Sequence, residues 1–113
     1  MRLLRDKSFP PQCPFCGQEI DRPKEVEGLE YYEFDGGRCS CGAVFGFDPT
    51  ARNGGAVMME AMVHACGDDY ERASNLNPDQ DYDGALVKKY NGITHRVGEP
   101  GSFGTLYFIR LNS

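Results

Sequence analysis

The sequence predicts an α+β protein in which a cysteine-bounded N-terminal unit packs on a small unit of two helices and an antiparallel sheet. Three observations lead there. Four of the five cysteines form two close pairs within residues 13–41. Residues 56–66 (Ala-Val-Met-Met-Glu-Ala-Met-Val-His-Ala-Cys) are apolar nearly all round and read as a buried helix. Residues 105–111 (Thr-Leu-Tyr-Phe-Ile-Arg-Leu) read as a buried strand. With 113 residues the chain supports one modest core. The natural division is 1–47 and 48–113, joined by a polar 48–55 link too short to let the two parts behave independently.

The elements follow in order. Residues 1–12 are a lead-in ending at Phe9-Pro10-Pro11, where two prolines impose an extended backbone. Leu29–Phe34 and Ala43–Phe47 are expected strands, with Asp35-Gly36-Gly37 as the turn between them. The helix over 56–66 has Asn53 as its expected N-cap and Gly67 as its expected C′ residue. A shorter helix is expected from Asp68, with Glu71 in the capping-box position, Tyr70, Ala73 and Leu76 facing inward, and Pro78 closing it. Residues 79–84 read as a loop. The stretch 84–92 is ambiguous, because Tyr82, Leu86 and Tyr90 recur at helical spacing. Asn91-Gly92 tips the reading towards strands at 85–90 and 93–97, with 93–97 expected to pair with 105–111.

Composition sets outer limits. The chain is 40% hydrophobic and 26% charged, which suits a folded globular protein rather than a disordered one. No apolar run approaches the ~20 residues of a membrane-spanning helix. The polar start Met1–Lys7 does not read as a secretory leader, so the expected compartment is the cytoplasm. Net charge is −5, unevenly spread: six basic against eight acidic groups in 1–47, two against eight in 48–83, four against one in 84–113. Bulk charge therefore argues against nucleic-acid binding, while a local basic face in the last thirty residues remains open.

The cysteines carry the specific chemistry. Cys13-Pro14-Phe15-Cys16-Gly17 and Cys39-Ser40-Cys41-Gly42 each place two thiols on a tight turn followed by glycine. Two such turns brought together supply the four thiolates that tetrahedral Zn²⁺ takes. The Cys-Pro-x-Cys-Gly turn over 13–17 resembles that of the zinc-ribbon class, and the resemblance spans residues 13–47. It departs from the class at Cys39 and Cys41, which are separated by one residue instead of two. The resemblance implies one structural Zn²⁺ held by Cys13, Cys16, Cys39 and Cys41, and implies little about activity. With four protein thiolates no open coordination position remains for substrate or water. A redox Cys-x-x-Cys is the sharper rival; such a motif sits at a helix start, whereas Gly17 and Pro23 flank a segment without helical periodicity. An iron centre is the other alternative.

Other constellations are weaker. Cys66 reads as a packing residue. Glu60 and His64 stand i,i+4 on one helix face, a polar pair that also has the spacing for proton exchange or metal ligation. Arg52, Asn53, Gly54 and Gly55 precede a helix and offer an anion or ligand site at its positive end, without Walker or GxGxxG spacing. His95 has no partner that sequence can assign. Lys88, Lys89, Arg96 and Arg110, with His95, would form a basic patch if the last strands share a sheet, and Tyr90 and Tyr107 would then offer stacking surfaces.

Two function classes follow, with a regulatory sensor that responds to zinc or thiol oxidation behind them as a third. One is a small zinc-binding, non-enzymatic interaction module for a protein or nucleic-acid partner. The alternative is a small enzyme or anion/ligand-binding protein with a pocket near Arg52, Asn53, Glu60 and His64. The first is preferred because no nucleophile–base pair and no open metal position can be read from the chain.

Overall fold

A computed structural model describes residues 8–24, 35–50, 52–78 and 80–112. Along these the elements are β1 (Gly36–Arg38), β2 (Val44–Asp48), α1 (Gly54–Ala65), α2 (Tyr70–Ser74), β3 (Tyr82–Asn91), β4 (Arg96–Val97) and β5 (Gly104–Leu111). The strands form one antiparallel sheet in the order β1-β2-β5-β3-β4, giving an α+β architecture. The expected strand at 29–34 lies outside the described residues.

The pairing of β2 with β5 organises the core. Phe45 stands opposite Phe108, and Val44 opposite Ile109. Successive side chains of a strand point to opposite faces, so each strand feeds two cores. On one face the Phe45 and Phe108 rings lie 5.3 Å apart and pack with Leu106, Tyr90, Ile20, Cys13 and Cys39. On the other, Val44 and Ile109 receive Ala61, Met58 and Met62 of α1. The cysteine turns and the Met-rich helix thus occupy opposite faces of the sheet. The helix was expected to be buried all round; only Val57, Ala61 and Val63 are fully buried, because the sheet covers one side of it.

The helix ends as its sequence demands. Gly67 has φ +71°, its N–H donates to the His64 carbonyl at 3.1 Å, and the Asp68 N–H donates to the Val63 carbonyl at 2.8 Å. This is the Schellman arrangement, which needs a left-handed residue after the C-cap. The second helix is shorter than expected: it begins at Tyr70, with Asp69 as its cap accepting from the Arg72 N–H at 3.0 Å. The cap falls one residue past Asp68, so Glu71 does not sit in the capping-box position. Tyr70 is 64% exposed, whereas Ala73 is buried against Val63 and Cys66.

Several strand expectations are corrected. Gly36 and Gly37 belong to β1, not to a turn. They are glycines because the strand runs tight against β2: a Cβ on Gly37 would lie 2.6 Å from the Phe45 ring, and one on Gly36 would meet the Phe45 carbonyl. The turn comes later, at Ser40–Gly42. The ambiguous segment is a strand that already starts at Tyr82 and runs through Asn91. Extended β3 covers the edge of β5 that β2 leaves open, which a helix in this place could not do. A bulge after Val87 puts Lys89 at φ +59°. Arg96–Val97 pairs with β3, not with the last strand, since both edges of β5 are already taken by β2 and β3. Among the described residues no helix is long and apolar enough to cross a membrane.

The glycines give a paired test. Gly36→Ala forces a methyl into the β2 backbone and should lower stability by about 1–3 kcal/mol. Gly55→Ala meets nothing within 4 Å on a helical residue and should raise it by about 0.5–1 kcal/mol. Urea midpoints of the two variants should move in opposite directions.

Candidate metal centre

The two cysteine turns have the same construction. In the first, the Gly17 N–H donates to the Cys13 carbonyl at 2.8 Å and the Cys13 N–H donates to the Gln18 carbonyl at 2.8 Å. In the second, the Gly42 N–H donates to the Cys39 carbonyl at 2.9 Å and the Cys39 N–H donates to the Ala43 carbonyl at 2.8 Å. Gly17 and Gly42 have φ +80° and +98°. That left-handed step turns the next N–H back on the sulfur two residues earlier: Gln18 onto Cys16, Ala43 onto Cys41. The Phe15 and Cys16 amides point at the Cys13 sulfur. Amides aimed at sulfur stabilise thiolates.

The turns meet. All four Sγ atoms lie within 4.8 Å of one another, with Cys13–Cys41 at 3.7 Å and Cys16–Cys39 at 3.5 Å. A tetrahedral ion bonded to sulfur at about 2.3 Å requires sulfurs about 3.8 Å apart. Those two contacts match that spacing, and the four thiols could hold a metal ion. Cys13 and Cys39 are buried, Cys41 is half-buried and Cys16 is exposed. As thiols they are pulled apart: burial pushes Cys13 up to about 12, while the Ala43 amide holds Cys41 at about 7. A cation among them would favour the thiolate form at every position.

Side chains that the sequence reading did not connect hold this centre in place. The Ser40 hydroxyl donates to the Gln18 side-chain carbonyl, tying one turn to the other. The Arg110 guanidinium stands 4.8 Å from the centre of the Phe15 ring, anchoring the first turn to β5. His95, at φ +58°, donates through Nε2 to the Ile20 carbonyl at 2.9 Å, so its Nδ1 accepts from the buried Tyr90 hydroxyl at 2.7 Å. The chain leaving the first turn is thereby fastened to the hairpin of β3 and β4. Phe9 exchanges hydrogen bonds with Val97 at 3.0 and 2.8 Å, and Lys24 with Gly36 at 3.0 and 2.9 Å. Nothing local in the sequence joins residues so far apart.

The other candidate residues are dispersed. Arg52 and Asn53 line a cavity of about 430 Å³ with Pro49, Thr50 and Phe103. Asn53 stands at the N-cap position, yet its side chain caps nothing; the buried Asp48 carboxylate accepts from the Asn53 N–H at 2.8 Å and from the Thr50 N–H and hydroxyl at 2.9 and 2.8 Å. The negative group beside the first turn of α1 is thus supplied by the chain itself. Gly54 lies against the Tyr107 hydroxyl, and Gly55 is exposed. Glu60 and His64 stand further along α1 and do not line that cavity. His64 has Nδ1 3.8 Å from Asp68 and Nε2 3.4 Å from Arg38. Burial, and then the Arg38 charge, hold His64 below its usual pKa of 6.5.

Of the basic set, Lys88 and Lys89 are exposed at the bulge, Arg96 donates to the Ser8 hydroxyl and carbonyl at 2.7 Å each, and Arg110 covers Phe15. Tyr90 is 1% exposed and so offers no stacking surface, and the half-buried Tyr107 hydroxyl is pressed to the start of α1. Cys66 is buried with Val63 and Ala73, and burial raises its pKa. No family model, curated protein or solved structure matches this chain.

Two predictions follow from these placements. His64 should titrate with an NMR midpoint below 6.5, and Arg38→Met should move it upward. Because the folded state holds this proton less tightly than the unfolded chain, the His64 contribution should cost stability as pH falls from about 6.5 through the folded midpoint. Cys66→Ser should leave metal content unchanged while lowering stability by about 1–3 kcal/mol, the cost of burying a hydroxyl among Val63 and Ala73.

Proposed function

We propose that the chain is a small zinc-binding protein whose Cys13, Cys16, Cys39 and Cys41 form a structural zinc site of zinc-ribbon type, and that it works as a non-enzymatic interaction module. The observation that carries this reading is the convergence of four sulfurs within 4.8 Å of one another, two of their contacts close to the spacing a tetrahedral ion requires. Zinc is favoured over calcium or magnesium because the donor set is all sulfur, and over a catalytic centre because four protein ligands close the coordination shell. The ion would supply no chemistry beyond charge and geometry: it would neutralise crowded thiolates and pin the first turn to the sheet. No described cavity brings a nucleophile and a base together, which supports binding over catalysis.

A protein partner fits the surface better than a nucleic acid. Net charge is −5, Arg96 and Arg110 are engaged within the fold, and Tyr90 is buried. Lys88 and Lys89 are the basic side chains of the expected patch that remain directed to solvent at the bulge. Weak, salt-insensitive retention on heparin is the expected behaviour; tight, salt-sensitive retention would favour RNA or DNA instead.

The metal reading is tested by removal. Sites of this kind contribute on the order of 10–16 kcal/mol, against about 5–15 for whole-domain stability. The freshly purified, reduced protein should carry one zinc per chain. A strong chelator should collapse the dispersed amide signals of residues 12–20 and 38–45, and added Zn²⁺ should restore them. Unchanged signals in the chelated protein would count against the reading, as would absence of stoichiometric metal.

A further inference from the structure

We propose that the four-sulfur centre is also a disulfide-forming site that oxidises across its two turns, linking Cys16 to Cys39 and then Cys13 to Cys41, with hydrogen peroxide as the oxidant class. The proposal rests on the metal site argued above and adds a covalent state to it. Three features of the site carry it. Two close sulfur contacts run from one turn to the other, at 3.5 Å for Cys16–Cys39 and 3.7 Å for Cys13–Cys41. Exposure is asymmetric: Cys16 is the exposed member, Cys41 is half-buried, and the cross-turn sulfur in contact with each, Cys39 and Cys13 respectively, is buried. Each cross-turn pair therefore has one sulfur that an oxidant reaches and one that waits beside it. The fifth cysteine, Cys66, is buried in the α1–α2 cluster on the other face of the sheet.

The chemistry balances. The Cys16 thiolate attacks one oxygen of the peroxide; an S–O bond forms, the O–O bond breaks, and hydroxide leaves, so that sulfur loses two electrons and becomes a sulfenic acid. The Cys39 thiolate then attacks that sulfur; the S–S bond forms, the S–O bond breaks, and a second hydroxide leaves. A second peroxide repeats the sequence at Cys41 and Cys13. Sulfur tied up in a disulfide is no longer a thiolate donor, so the first link leaves too few ligands to close a tetrahedron. Because both links join residues 13–16 to residues 39–41, a covalent staple takes over the span that the ion held. Links within a turn would not: Cys13–Cys16 and Cys39–Cys41 would each close a short loop and leave the two turns untethered.

The experiment treats the full-length, zinc-loaded protein with one and then two equivalents of hydrogen peroxide. Free thiols are blocked, and peptides are mapped by mass spectrometry alongside a chromogenic zinc assay. Metal content measured before any peroxide is added tests the metal site separately. The expected result is a Cys16–Cys39 peptide after the first equivalent, a Cys13–Cys41 peptide after the second, release of the zinc, an unmodified Cys66, and reversal by dithiothreitol. In Cys66→Ser the same two links should form and the zinc should be released as in the unaltered protein. Cys13–Cys16 or Cys39–Cys41 peptides, sulfinic acid in place of disulfide, or retention of all four free thiols in zinc-loaded protein would overturn the proposal while leaving the metal site standing.

Discussion

Residues 8–24 contribute no strand to the sheet, and their two sulfurs meet two from the end of the β1–β2 hairpin while Ile20 and Cys13 pack into the core. Single bridges at Phe9–Val97 and Lys24–Gly36, the Arg96 bonds to Ser8 and the His95 bond to Ile20 each fasten one point. Individually such hydrogen bonds contribute about 0.5–1.5 kcal/mol, and none orders a 17-residue extended segment against its conformational entropy. An ion shared by the four sulfurs would act at the one place where the segment turns, and would do so with an energy an order of magnitude larger.

The sheet turns that local constraint into a fold. Opposite faces of β2 and β5 receive different partners: Phe45, Leu106 and Phe108 receive the cysteine turns, while Val44 and Ile109 receive α1. The metal centre therefore sits on a packed aromatic floor, not on a mobile loop. Arg110 and Phe15 link the two directly, since Arg110 belongs to β5 and Phe15 to the first turn. Glycines mark where backbone or ring approaches too closely for a side chain, as at Gly37 over Phe45 and at Gly46, where a Cβ would lie 2.8 Å from Val57.

Much of this was legible in the sequence, and the exceptions have physical reasons. The cysteine spacing, the apolar run of α1, its Gly67 terminator and the two buried strands are local patterns, and local patterns can be read from neighbours alone. Gly36 and Gly37 misled because glycine serves tight turns and close strand contacts equally well. Tyr82, Leu86 and Tyr90 suggested a helix by spacing, but an open edge of β5 decided in favour of a strand, and that edge lies some twenty residues further along the chain. Asn53 occupies the cap position it was assigned, yet its side chain caps nothing, and its own N–H donates to Asp48. His95, Tyr90 and Ile20 are brought together only by topology, which is why their clamp on the first turn could not be foreseen.

The account stands on four sulfur atoms sharing one ion as a fixed part of the scaffold. X-ray absorption at the zinc edge of the reduced protein tests this most directly, because it counts and ranges the atoms around the metal. The account expects a single shell of four sulfurs at about 2.3 Å. A first shell containing nitrogen or oxygen, or a protein without zinc, would contradict it.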